Sequence, residues 1–157
     1  MKSWDVMKAI AGIKGLKFSQ RKNFLVIPNV SWGFLRYEAD MLVVTKSKYC
    51  TEIEVKVSMS DWKADFDKRK HDWIDARIKY QYYAAPMTLA ERYIELDLPQ
   101  GWGVIGVKEN GGIQILKEAI SRSCRKINDK ELMILCRLAC FRVWRHENKI
   151  LDDSGSS

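Results

Sequence analysis

The residues of this chain best suited to chemistry are Asp40 and the pair Glu54 and Lys56, with Glu52 and Glu38 beside them. Ile53, Val55 and Val57 alternate with Glu52, Glu54 and Lys56, the period-two pattern of a half-buried strand. Two acids and a lysine therefore share one face. Side chains two apart on a strand lie about 7 Å from each other, close enough for a shared cation to draw two carboxylates together. Hard oxygen ligands from Asp40 and Glu54, with the Val55 carbonyl at the same edge, suit Mg²⁺, for which Mn²⁺ can substitute. Such a set fits metal-assisted hydrolysis of a phosphodiester. The metal lowers the pKa of a bound water and neutralises non-bridging oxygens, while Lys56 orients the water and stabilises the charge added at phosphorus. Glu52 or Glu38 could support a second ion or accept a proton. A Glu-x-Lys alone is a weak signal, because both residue types are common and exposed strand faces often carry such a pair as a surface salt bridge.

The elements that must position these residues can be read on either side. Residues 39–44 form a second strand, and Lys46, Ser47 and Lys48 make a polar turn that folds it back antiparallel, setting Asp40 beside Glu54 and Lys56. Residues 24–27 read as a strand closed by Pro28 and Asn29, so three strands in a row form a meander. Before them, residues 4–17 read as a helix with Val6, Met7, Ile10 and Ile13 on its apolar stripe, ended by Gly15. After the central strand, Ser58 and Ser60 are N-cap candidates for a helix starting near Asp61, with Trp62, Phe66 and Trp73 on its inward stripe. Lys63 and Lys70 lie mostly off that stripe, and because the first turns overhang the acidic cluster they are candidates to meet a phosphate.

The remainder supplies a scaffold. Residues 78–85 read as a strand reached by a crossover helix, hence parallel to an earlier strand, and residues 88–97 as a short helix. Residues 102–107 and 113–116 form a hairpin around Asn110, Gly111 and Gly112. Asn128 caps a last amphipathic helix, with Leu132, Leu135, Leu138, Ala139 and Val143 inward and Arg137, Arg142 and Arg145 on the polar side. Residues 1–150 read as one domain and residues 151–157 as a disordered tail.

The chain has 157 residues and a formal charge of +7, unevenly spread: residues 1–22 carry six Lys or Arg against one acid, and residues 117–149 nine against four. A basic surface framing an acidic strand pair points to an anionic polymer, nucleic acid in preference to a membrane, although solubility alone explains the charge equally well. No apolar run reaches the length of about 18 residues needed to span a membrane, and the N-terminus leads into no signal-peptide core. The reading is of a cytoplasmic protein of a bacterial or phage-infected cell. Cys50, Cys124, Cys136 and Cys140 lack paired Cys-x-x-Cys spacing and read as reduced thiols.

Taken together, a strand carrying the Asp, a hairpin partner carrying Glu-x-Lys, a helix and a further strand follow the αβββαβ order of the PD-(D/E)XK nuclease superfamily, which this sequence resembles. Within it the likeness is to the MmcB-like DNA-repair proteins and their phage-borne relatives. It is carried by Glu54-Val55-Lys56-x-Ser58-x-x-Asp61-Trp62-x-x-Asp65, by the Asp-bearing stretch 36–44, by Tyr82-Tyr83-Ala84-Ala85-Pro86 and by Gly101-Trp102-Gly103-Val104-Ile105, and covers roughly residues 24–116. The resemblance implies an α/β (α+β), restriction-endonuclease-like core with a mixed central sheet flanked by helices. It also implies that Asp40 and Glu54 bind metal and that Lys56 is catalytic. Many members place an extra glutamate on the first helix, where residues 4–17 offer only Asp5, and Ala39 stands where a proline often precedes the motif aspartate. Gln81 could stand for a glutamine that some relatives use, or be an ordinary strand residue.

The function expected is a Mg²⁺-dependent DNA endonuclease, in repair, recombination or phage DNA processing. The alternative is a nucleic-acid-binding accessory module without turnover, since fold alone does not fix function. A third reading is a protein-interaction domain whose acidic cluster is a solvated salt-bridge face. Many relatives form homodimers, and the hairpin edges or the last helix could supply the face.

Overall fold

The computed structural model describes residues 1–31, 33–67 and 74–154, with the backbone alone at Phe66, Asp67 and residues 150–154. It is an α+β architecture: one six-stranded mixed sheet flanked by four helices. The chain runs α1 (Ser3–Ala11), β1 (Leu25–Val30), β2 (Ala39–Val44), β3 (Cys50–Val55), α2 (Met59–Asp67), β4 (Ile78–Pro86), α3 (Met87–Tyr93), β5 (Gly103–Val107), β6 (Ile113–Lys117) and α4 (Asp129–Ser154). The strands lie side by side in chain order. β1, β2 and β3 form an antiparallel meander, β4 and β5 add in parallel, and β6 closes the far edge antiparallel. The parallel step follows from the crossover through α2, as a parallel pair requires.

Turn chemistry sets these registers. Between β2 and β3 the Lys48 N–H donates to Thr45 O at 2.9 Å, and Lys48 itself takes φ 68°. Between β5 and β6, Gly111 sits at φ 77°, a left-handed conformation that side chains resist. The first helix is shorter than its apolar stripe suggests. It stops at Ala11, and Gly15 passes so close to the Ile10 carbonyl that a Cβ there would meet the oxygen at 1.8 Å. A 3-10 turn, Leu16–Phe18, then returns Phe18 to the core beneath α1, while Ile13 is left exposed. β1 runs through Pro28 and Asn29 to Val30 instead of closing at them, because an edge strand tolerates the proline's missing donor.

Both faces of the sheet are covered. On one, Met41, Val43, Ile53, Val55, Tyr82, Ala84 and Ile105 pack with Val6, Met7 and Ile10 of α1. The other face carries two clusters. Ile27, Leu42, Val44, Cys50 and Ile78 pack with Ile127 and Leu135 under α4, whereas Trp62, Tyr83, Ala85, Tyr93, Trp102 and Val104 form an aromatic cluster under α2 and α3. Between β6 and α4 the chain crosses back, with Arg122 N–H on Lys79 O, Arg125 N–H on Ala76 O and Ile127 N–H on Lys48 O. That return path delivers α4 to the β1–β3 half.

The start of α4 carries the reciprocal cap expected of Asn128. Glu131 N–H donates to Asn128 Oδ1 at 2.9 Å, and Asn128 N–H donates to Glu131 Oε1 at 3.0 Å. Arg125 also bonds Glu131, and this above all holds its carboxyl down to about 2, with the Asn128 and Arg77 contacts adding to it. A carboxylate held below its unfolded value stabilises the fold above that value and loses the contribution as pH falls through the folded pKa. Denaturant titrations of the wild type should therefore show stability falling from about pH 5 to about pH 2, and Glu131→Gln should flatten that slope. A variant with an unchanged slope would exclude Glu131 as the acid-sensitive group.

Val143 is 58% exposed where the sequence pattern places it inward, and α4 continues to Ser154, so residues 151–154 are helical where a tail is expected. All four cysteines are free, and burial above all pushes the Cys50 thiol up to about 12, so it is inert at neutral pH. No described helix is long and apolar enough to cross a membrane.

Candidate functional site

β2 and β3 pair backbone to backbone from Val44↔Cys50 as far as Met41↔Ile53, and there the ladder ends. One step further, the Val55 N–H is taken by the Asp40 carboxylate, Oδ2 accepting at 2.7 Å. A side chain thus replaces a backbone partner. Within a strand, N–H and C=O of one residue point to the same side, so the Val55 carbonyl faces the same gap as Asp40. On the other side of β2, across from Asp40, Asn29 takes φ 52°. There the alternation inverts: Ile27 and Val30, three apart, both enter the cluster under α4, and Ala39 joins them.

The central strand puts Glu52 and Glu54 on the face that carries the two clusters, in the seam between them. Lys56 follows on the same side, its N–H held by Ala84 O at 2.9 Å. Glu54 is 3% exposed and Lys56 8%. The Lys56 ammonium lies 3.5 Å from Glu54 Oε2 and 3.2 Å from Asp65 Oδ1. Both distances exceed the roughly 2.8 Å of a tight charge-assisted bond. The lysine is a shared counter-ion, committed to neither acid.

Asp65 comes from α2 and is buried, its Oδ2 accepting from the Tyr83 hydroxyl at 3.3 Å. Ser58 starts the helix, its Oγ accepting from Asp61 N–H at 3.1 Å, which bears out the N-cap reading. Glu52 is fully buried, with Oε2 accepting from the Tyr37 hydroxyl and from Gln81 Nε2, each at 2.8 Å. Gln81 lies directly across from Glu52 in the β3–β4 register. Burial and the neighbouring carboxylates push the Tyr37 and Tyr83 hydroxyls well up, so both remain donors.

The structure therefore brings Asp40, Glu54, Val55 and Lys56 together, with Glu52 one step deeper. Glu38 stands apart: it is exposed and lines a cavity toward α4. Lys63 is an exposed residue of α2, and Lys70 lies outside the described residues. Asp65 and Tyr83, present in the motif stretches without a site role, and Tyr37 join the cluster. For Asp65 a signal existed: it is three residues from Trp62 on one helix, so an inward Trp62 carries Asp65 inward too.

Two carboxylates and a carbonyl are a hard-oxygen set suited to Mg²⁺, which keeps several of its own waters. Among the described residues no group of three or more His, Cys, Asp or Glu side chains could hold a metal ion unaided. The donors fit a partly hydrated ion better than an all-protein cage.

Comparison with known proteins adds the fold. No family model matches the chain, and no curated protein matches it. The solved structure of the SPO1766 protein of unknown function from Silicibacter pomeroyi is similar, with TM-score 0.55 and 18% identity over 85% of this chain and 83% of that one. That likeness speaks to architecture alone.

Proposed function

We propose that this chain is a Mg²⁺-dependent nuclease that hydrolyses DNA phosphodiester bonds, of the PD-(D/E)XK kind its motif resembles. The observation that carries the reading is the broken ladder between β2 and β3, where Asp40, Glu54 and the Val55 carbonyl share one gap with Lys56 behind them. Asp40, Glu54 and Val55 would hold the ion. When bound, it would activate a water and neutralise charge on the phosphate. Lys56 supplies a fixed positive charge, in a buried site, for the oxygens that become more negative at phosphorus. Asp65 and the Tyr83 hydroxyl keep the ammonium at this end of the sheet. Glu52, tied to Tyr37 and Gln81, holds the strand pair rigid.

A second reading, a nucleic-acid-binding accessory module without turnover, draws on the burial of Glu54, Lys56 and Asp65. The two readings part on a simple assay. Supercoiled plasmid and a labelled single strand are incubated with the protein in Mg²⁺, in Mn²⁺ and in EDTA. Nicking or shortening with either metal and none in EDTA is the expected result. Salt-sensitive binding with no cleavage in any condition would favour the accessory module.

A further inference from the structure

A cavity of about 700 Å³ lies between the C-terminal half of α4 and the far end of β1. Its walls carry Arg142, Arg145, His146 and Lys149 from α4, Trp4 from α1, and Asn29. Three fixed cations face one carboxylate, Glu38. Arg142 is anchored, Nη2 donating to Asn29 O at 2.6 Å, and its Nε is buried without a hydrogen-bond partner among the described residues. Arg145 and Lys149, one helical turn apart, are exposed and held by no such bond among the described residues. Trp4 and His146 lie 5.6 Å apart between ring centroids, tilted by 37°, and form an aromatic corner beside the cations.

The groove leads to the site. Pro28↔Met41 and Val30↔Ala39 are paired, which sets Asn29 across from Asp40, about one strand spacing or 5 Å away. Glu38 is two residues before Asp40. A chain of negative charges lying along Arg145 and Lys149 therefore runs toward the broken end of the β2–β3 ladder.

We propose that this groove binds single-stranded nucleic acid, with phosphates on Arg145 and Lys149 and an unpaired base against Trp4. A duplex hides its base faces between neighbouring pairs, so only a single strand can use an aromatic corner and the cations together. The volume is that of a small-molecule pocket, about 300–1,000 Å³, enough for one or two nucleotides. The strand's delivery to Asp40 rests on the nuclease reading, whereas the binding itself does not.

The test is fluorescence anisotropy in EDTA over a series of NaCl concentrations, with a labelled mixed-sequence DNA single strand and its duplex. The proteins are wild type, Arg145→Ala/Lys149→Ala, Trp4→Ala, and Lys130→Ala/Arg137→Ala, which removes equal charge from the same helix outside the groove. Thermal melts establish that each is folded. The groove double variant should lose about tenfold in single-strand affinity, with the slope of log K against log salt shallower by about 1.4. Trp4→Ala should weaken the single strand about tenfold and the duplex little. Groove variants that bind normally, a control double variant that loses as much, or a wild type that does not bind would each overturn the proposal. If the groove result holds and no DNA is ever cut, the groove stands and the nuclease reading falls.

Discussion

A Lys56→Met chain is expected to lose metal-dependent cleavage by at least about 10²-fold, the cost of removing one preorganised charge from a developing oxyanion. Methionine keeps the length of the stem and deletes the ammonium, so Glu54 and Asp65 lose their common counter-ion. Two buried carboxylates that lose a shared cation destabilise the fold, which makes a second readout necessary. Added Mg²⁺ should raise the melting temperature of Lys56→Met more than that of the wild type, since a ligand bound only by the folded state stabilises it and the variant has more negative charge to satisfy. Cleavage retained in Lys56→Met would remove the lysine from the mechanism. Loss of cleavage without any Mg²⁺ effect on melting would instead mark the cluster as a salt bridge of the fold.

Arg77→Ala should cost about 3–5 kcal/mol of stability, the range for breaking a buried ion pair by removing one partner. Arg77 closes four bonds with one planar group: Nε to Asp75 Oδ1 at 2.7 Å, Nη2 to Asp75 Oδ2 at 2.6 Å and to Phe34 O at 2.5 Å, and Nη1 to Glu131 Oε2 at 2.7 Å. Its guanidinium also stacks on the Phe34 ring at 4.0 Å. Burial pushes the Asp75 carboxyl up, and the Arg77 bonds more than reverse this, leaving it below its ordinary value. Without Arg77, Asp75 loses its hydrogen-bonded cation and Glu131 keeps only Arg125, and the loop before β2, the start of β4 and the first turn of α4 lose their common fastener. Urea denaturation at neutral pH measures the loss. Arg77→Lys should recover only part of it, because an ammonium cannot fork to both carboxylates and the carbonyl. A loss under about 1 kcal/mol would place this network with ordinary surface pairs.

The parts of the fold legible in the sequence were those written in local chemistry. Alternation over residues 51–57 marks β3, the polar turn at Lys46, Ser47 and Lys48 makes the hairpin, Ser58 starts α2 and Asn128 starts α4. The crossover through α2 made β4 parallel, and the order α1-β1-β2-β3-α2-β4 followed. What stayed hidden depends on contacts between distant segments. Nothing local to Asn29 tells that its left-handed backbone lies opposite Asp40, where the alternation inverts. Tyr37 and Gln81 reach Glu52 from different elements, so their hydrogen bonds to it are not legible in local pattern. Asp65 is legible in part, because its spacing of three from Trp62 puts both on one helix face. The α4 groove needed the return path of residues 118–128, which no periodicity encodes.

The central claim is that Asp40 and Glu54 together hold one divalent cation. Asp40→Asn tests it cleanly, because the amide oxygen can still accept from the Val55 N–H while the charge is gone. Mg²⁺ is titrated calorimetrically into wild type and Asp40→Asn, each first stripped with EDTA and dialysed free of it. The account predicts saturable binding of a single ion by the wild type and its loss in Asp40→Asn with the melting temperature in EDTA little changed. Equal binding by both proteins, or none by the wild type, would contradict it.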